Sequence, residues 1–155
     1  MKKYPDLKDE INQALKSADK YLVDRENMIV RLLYPSFDKP KNNPGYIKAY
    51  VPGTRENGGQ YTHASVWLAK AYFEIGEYDK GVEILKILNP INHSDTKEKA
   101  NVYMVEPYVI AADVYTNPEH VGRGGWTWYT GSAAWMYKTI DDYIVNKDET
   151  KKEKK

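Results

Sequence analysis

Residues 61–90 read YTHASVWLAKAYFEIGEYDKGVEILKILNP, and this stretch decides the fold class. Two helical patterns, Tyr61 to Ile75 and Tyr78 to Leu88, are joined by Gly76-Glu77. Asn89-Pro90 closes the second, because proline cannot continue a helix. A linker this short folds the second helix back along the first, so the stretch predicts an antiparallel helical hairpin. Leu68, Ala71, Tyr72, Gly76, Tyr78 and Pro90 also fall where a tetratricopeptide repeat keeps its packing residues. No second copy stands at the spacing of about 34 residues that such a solenoid needs.

The same periodicity extends outward from the hairpin. Leu7, Ile11, Ala14, Leu15, Ala18 and Leu22 share one helix face, which predicts a helix over 6–23. Asp24 to Asn27 breaks it, Met28 to Leu33 reads as a short extended segment, and the prolines and asparagines of Tyr34 to Gly45 predict a loop. After the hairpin, Pro90 to Thr96 is a loop and Lys97 to Met104 fits either helix or irregular chain. Glu106 to Tyr115 reads as a helix with Pro107 in its first turn, where a missing N–H costs nothing. Asn117 to Gly125 is irregular, and a last helix runs from about Ser132 to Val145. The sum is a mainly α chain of helical hairpins with long loops, and long loops in a small domain are often functional.

Composition bounds the rest. The chain has 155 residues, 41% apolar and 29% charged, with a net charge of +1 and no cysteine. That suits a globular domain, and it removes thiol nucleophiles, zinc-thiolate sites and iron-sulfur clusters. The last ten residues carry five lysines against Asp148, Glu149 and Glu153, a net of +2, which leaves the body at −1. The body therefore lacks the basic surplus of a nucleic-acid or acidic-membrane binder, and residues 147–155 read as a charged, disordered tail on a domain of 1–146. Lys2, Lys3, Tyr4 and Pro5 are not followed by the apolar stretch of a secretory signal, and no run is long enough to span a bilayer, so a cytoplasmic protein is expected.

Two loops carry the chemistry. Val51 to His63, VPGTRENGGQYTH, packs Arg55, Glu56, Asn57, Gln60, Tyr61, Thr62 and His63 around two adjacent glycines that allow a sharp turn or close approach to a ligand. Read blandly, it is an N-capping loop whose Arg55 and Glu56 form surface pairs. His120 to Ala134, HVGRGGWTWYTGSAA, places Thr130, Gly131 and Ser132 where the last helix begins. A helix start made of small residues offers free N–H groups and positive dipole to an anion, and Arg123 or His63 would add charge; simple capping fits the same residues. Fourteen tyrosines and four tryptophans stand against two phenylalanines, a bias suited to half-wet clefts and equally to a core rim. Trp126, Trp128 and Tyr129 fall in the loop, whereas Trp67, Tyr72 and Trp135 fall within helices and are assigned to packing. Glu56, Glu106 and Asp113 are available for acid–base work, the last two on one face of the expected helix. His63, His93 and His120 lack the short spacings of a zinc site, so no metal is expected.

Taken together, these segments resemble the C-terminal part of the catalytic domain of glycoside hydrolase family 94. The resemblance rests on Pro44 to Lys48, Tyr50 to Gly53, Arg55 to His63, Leu88 to His93, Val105 to Tyr108, Ala112 to Tyr115 and Gly122 to Ser132, in order over about residues 5 to 145. That family contains cellobiose, cellodextrin and chitobiose phosphorylases and the phosphorylase-like region of cyclic β-1,2-glucan synthases. It implies part of an (α/α)6 barrel and no cofactor. It also implies an inverting reaction in which inorganic phosphate, as co-substrate, attacks the anomeric carbon of a β-linked oligosaccharide while an aspartic acid protonates the leaving oxygen. The reverse direction would use glucose 1-phosphate. Phosphate takes the place of the activated water of an inverting glycosidase, so no catalytic base is needed.

Position by position, the resemblance implies that His63, Thr130 and Gly131 bind phosphate. It implies that Glu56 contacts the acceptor sugar with Gln60 and Tyr61 beside it, and that Arg123 and Trp126 shape the pocket wall. The family's general-acid aspartate, set in a Trp-Asn-Asp type segment, has no match in Met1 to Ile47. The expectation is therefore a fragment, inactive alone, whose uncovered apolar helix faces bind an upstream polypeptide or a second copy. The alternatives are a non-catalytic sugar- or phosphate-binding helical module and a decayed gene remnant.

Overall fold

In the computed structural model, which describes residues 7–128 and 130–146, the first helix α1 spans Lys8–Leu22 and the hairpin consists of α2, Thr62–Ile75, and α3, Tyr78–Leu88. Gly76 takes a left-handed φ of 91°, and its N–H and that of Glu77 return to the carbonyls of Phe73 and Tyr72, the bonds that stop α2 and reverse the chain. Val66, Ala69, Tyr72 and Phe73 of α2 meet Ile84, Leu85, Ile87 and Leu88 of α3 in the main core. The helices approach closely at Gly81, where a Cβ would lie 2.7 Å from the Phe73 ring.

A last helix, numbered below as α5, spans Thr130–Ile140, runs on into a π-helical turn at Asp141–Val145, and closes this core with Met136 and Tyr143. The Tyr143 ring stacks on Phe73 with centroids 5.0 Å apart, and its hydroxyl donates to the Glu74 carboxylate. The amphipathic α1 lies outside it: none of its residues is buried. It is held by the Tyr72 hydroxyl, which donates to the Leu15 carbonyl at 3.2 Å, and by an ionic group in which Arg25 and Lys80 reach Asp19.

Lys97–Tyr103 is helical (α4), started by Thr96, whose hydroxyl accepts the Lys99 N–H, and stopped by left-handed Met104. The expected helix over 106–115 is absent. Residues 104–112 are turns and irregular chain, and they lead into a strand at Asp113–Val114. This strand, β4, pairs antiparallel with β3, Gln60–Tyr61, in the register Gln60↔Val114 and Tyr61↔Asp113. Single bridges join Arg31 to Gln60 and Val114 to Gly124, so four distant segments lie side by side. The Val23–Asp24 and Ile29–Val30 strands, β1 and β2, form the hairpin that feeds this ladder. Local pattern fails here because β-branched Val109, Ile110 and Val114 prefer extended chain, and the pairing partners stand about fifty residues away. The assumed helical face shared by Glu106 and Asp113 disappears with the helix. A second, smaller core of Ile29, Tyr103, Ala111 and Val114 packs beneath the ladder.

Candidate functional site

The loop before α2 is held at both ends by its own polar groups. Gly53, at φ 86°, sits so close to the backbone of Asn117 that a Cβ would approach its N to 2.3 Å, and its carbonyl accepts the Thr116 N–H. Asn57 is wholly buried. Its Oδ1 accepts the Phe37 N–H at 2.6 Å, and its amide donates to the carbonyls of Tyr50 and Phe37. Gly58, left-handed at φ 87°, donates to Leu32, and its carbonyl accepts the Thr116 hydroxyl at 2.8 Å. A segment rich in polar side chains thus becomes rigid by satisfying its own backbone, which is how a loop holds functional groups in place.

Arg55 and Glu56 occupy the turn of this loop and are mostly shielded, their side chains 18% and 17% exposed. Arg55, itself at a left-handed φ of 49°, brings its Nε within 3.6 Å of the Glu56 carboxylate. Its guanidinium lies 5.7 Å from the Tyr50 ring centroid and 5.9 Å from that of Tyr61. The pair is therefore an enclosed one, unlike the surface pair of the bland reading. Asp113 faces it across the β3–β4 ladder and is 1% exposed. Burial pushes the Asp113 carboxyl above the ordinary aspartate range and the Glu56 charge adds to this; the Trp126 N–H and the Arg55 charge pull the other way. Asp113 Oδ1 accepts the Trp126 N–H at 3.0 Å, so the Trp126 backbone is tied to the ladder while its indole remains 63% exposed.

His63 is the second residue of α2. A Cβ on Gly131 would lie 3.5 Å from both Cε1 and Nδ1 of its imidazole, so the first turn of α5 and the first turn of α2 meet at these two residues. The His63 Nε2 is buried with no hydrogen-bond partner. Ser132, next to Gly131 in the chain, is 2% exposed, and Trp128 precedes α5 at a left-handed φ of 64°, a strained conformation for a bulky side chain. Tyr129 and the side chain of Thr130 lie outside the described residues.

The remaining sequence candidates divide. Tyr61 joins the two halves of the site, touching Arg55 and standing two residues before His63. Arg123 is exposed in the turn whose carbonyl accepts the Tyr115 N–H. Gln60, read as a neighbour of the sugar, is 1% exposed and spends its amide inside the protein: Oε1 accepts the Val30 N–H and Nε2 donates to the Thr62 hydroxyl. It fixes the ladder. His93 is structural, stacked on Tyr103 at 5.0 Å with its Nε2 2.6 Å from the Ile87 carbonyl, and burial pushes its pKa down. A cleft of about 310 Å³ lined by His93, Lys99, Tyr103 and Gly122 includes none of the residues just assembled. Asn57 and Asp113, both singled out in the sequence, hold the site together through backbone partners that local pattern does not give. The signal for Asp113 was the pair of adjacent glycines at 124–125 that lets a strand approach it.

Among the described residues no group of three or more acidic, histidine or cysteine side chains is arranged to hold a metal, and no helix is long and apolar enough to cross a membrane.

The catalytic-domain model of the glycosyl hydrolase 94 superfamily matches residues 6–146. A cyclic beta-(1,2)-glucan synthase, NdvB, of Rhizobium meliloti is 51% identical over 117 residues, covering 76% of this chain and 4% of the relative. An N,N'-diacetylchitobiose phosphorylase of Vibrio proteolyticus is 29% identical over 86% of this chain and 16% of its own length. A solabiose phosphorylase of Paenibacillus borealis is 24% identical over 73% of this chain and 14% of its own. The chain thus spans no more than about a sixth of the length of any of these three relatives.

Proposed function

This chain belongs to the glycosyl hydrolase 94 superfamily, and on that premise we propose that it forms the phosphate- and acceptor-binding part of an inverting glycoside phosphorylase site on an (α/α)6 barrel, acting on β-linked glucosides. His63, Thr130 and Gly131 hold inorganic phosphate, and Glu56, Tyr61, Arg123 and Trp126 line the acceptor side. One observation carries the reading: the Nδ1–Cε1 edge of the His63 imidazole lies against Gly131 at the start of α5. An imidazole beside the start of a helix is suited to a phosphate oxygen.

In this reaction the protein's task is to hold the phosphate oxygen beneath the anomeric carbon and to hold the leaving sugar in register. Positioning of this kind accounts for much of the rate gain. The enclosed Arg55–Glu56 pair supports the acceptor role, since a carboxylate fixed beside tyrosine rings can accept sugar hydroxyls while the ring faces cover the apolar side of the pyranose. Asp113 is unsuited to protonate the leaving oxygen, being 1% exposed and engaged with the Trp126 N–H. We assign the proton donor to a segment outside this chain, and on this reading the chain alone releases no sugar 1-phosphate.

The test is calorimetric titration of the full chain with inorganic phosphate. The expected result is saturable binding that His63→Asn reduces at least about tenfold, as for loss of one charge-assisted hydrogen bond. Equal binding by both proteins, or none by the unmodified chain, overturns the assignment.

A further inference from the structure

Trp67 and Trp135, which the sequence assigns to packing, stand in a specific relation to the two residues of the proposed phosphate site. Trp67 is four residues on from His63 along α2, and Trp135 is four residues on from Gly131 along α5. Each indole therefore stands one turn behind one member of the pair and on the same face, and helical side chains lean back toward the N-terminus, over that member. The observed rings agree. The Trp67 centroid lies 4.9 Å from the His63 imidazole with the planes at 76°, Trp67 meets Trp135 edge to face at 5.7 Å, and Trp135 lies 6.2 Å from His63. Three rings from two helices close on one another. Lys70, three residues beyond Trp67, places its ammonium 4.9 Å from the Trp135 ring centroid and holds that ring from outside.

Packing alone does not account for Trp67. It is 52% exposed, so half of a large apolar ring is left in water beside the site. A functional imidazole is usually oriented by a hydrogen bond from its second nitrogen to a carboxylate or carbonyl. His63 has no such device: its Nε2 is buried and unpaired, and among the described residues its ring is contacted by the two indoles. We propose that Trp67 and Trp135 are positioning residues that clamp the His63 imidazole, Trp67 edge to face against it and Trp135 backing Trp67, keeping the Nδ1–Cε1 edge of His63 against Gly131 where phosphate is to be gripped. The geometry stands by itself, while its consequence for phosphate rests on the function proposed above.

The experiment uses the full chain and two readouts. The first is NMR of the His63 ring protons without phosphate, recording cross-relaxation with Trp67 and the ring-current displacement of Cε1–H. The second is titration with inorganic phosphate. Trp67→Phe keeps a ring for the edge-to-face contact, and Trp67→Leu keeps apolar bulk without one. The expected result is that Trp67→Leu loses the displacement and weakens phosphate about tenfold, the usual cost of removing a group that orients a ligand-binding histidine, while Trp67→Phe stays near the unmodified protein. Circular dichroism and thermal melting of both variants exclude unfolding as the cause. Should Trp67→Leu fail to fold, Trp135→Leu with the same two readouts takes its place.

An undisplaced His63 resonance in the unmodified chain, or phosphate binding by Trp67→Leu equal to that of the unmodified chain, overturns the clamp. A displaced resonance that Trp67→Leu loses, in a chain that binds no phosphate, supports the clamp and overturns only the phosphate reading.

Discussion

The carboxylate of Asp113 accepts the backbone N–H of Trp126 at 3.0 Å, and Gly125 next to it has no room for a side chain: a Cβ there would come within 2.4 Å of Asp113 Oδ1. Gly125 also donates its own N–H to the Asp113 carbonyl, and Ala112 donates to the Trp126 carbonyl. These contacts place the segment leading into α5 against the β3–β4 ladder, and the ladder runs directly into His63.

Gly125→Ala is therefore expected to push the Asp113 carboxylate off the Trp126 N–H. Two buried polar groups then lose their partner, which costs about 1–3 kcal/mol. Urea denaturation measures it. The double variant Gly125→Ala with Asp113→Ala should recover much of the loss that the two single changes predict additively, because the clash is removed with the carboxylate. Strict additivity would show that the two residues do not touch.

Asp113 also makes stability depend on pH with a sign opposite to that of Asp19, Asp24 and Glu83, whose values are lowered. Its carboxyl is pushed above the ordinary value by burial, with Glu56 adding and with the Trp126 N–H and Arg55 opposing. A group whose folded value is raised contributes stability that is fully present below its unfolded value and is lost as pH rises through the folded one. Asp24 and Glu83 have lowered values and act in reverse, but they are common to the natural chain and to Asp113→Asn and cancel in the difference. The stability of Asp113→Asn relative to the natural chain is expected to improve as pH rises through and above the ordinary aspartate range. A difference that stays flat across that range counts against a raised Asp113.

Arg25 joins Asp19 of α1 to Glu83 of α3, with both contacts at 2.6 Å, and the hydrogen bond from Arg25 holds the Glu83 carboxyl below its usual range. The side chains are 30–43% exposed, so solvent screens the group heavily. Arg25→Ala should cost about 0.5–1 kcal/mol at low salt, and less at high salt where the Debye length shrinks. Thermal melts at two ionic strengths test this. A loss that salt does not diminish would mean that the arginine acts through its apolar stem.

The sequence is most legible where structure is local. The α2–α3 hairpin follows from helical spacing and from Gly76, whose left-handed turn needs no distant partner. The loop of residues 51–63 and the start of α5 are legible as chemistry because their residue types are unusual. What escapes is pairing at long range. Asp113 sits in an apolar run that looks helical, and it becomes a strand because Tyr61 and Gly124–Gly125 are beside it. Gln60 and Trp67 mislead in opposite directions. The polar residue is buried as a brace, and the apolar one is half exposed beside His63. Residue type predicts burial only on average; the partner decides the individual case.

Gly131 separates function from stability. It lies in the first turn of α5 without a left-handed φ, and a Cβ there would stand 3.5 Å from the His63 Cε1 and Nδ1, an ordinary contact distance. Gly131→Ala therefore strains nothing and should stabilise the helix, by up to about 0.5–1 kcal/mol from the conformational freedom that glycine loses on folding. The same methyl group covers the imidazole edge and helix start beside which phosphate is proposed to sit. The expected outcome is a melting temperature equal to or above that of the natural chain, together with phosphate affinity reduced about tenfold, or about 1.4 kcal/mol. Differential scanning calorimetry and phosphate titration on one preparation measure both. If affinity is unchanged while the protein is stabilised, phosphate does not sit beside Gly131 and His63, and the pairing of these two residues is packing alone.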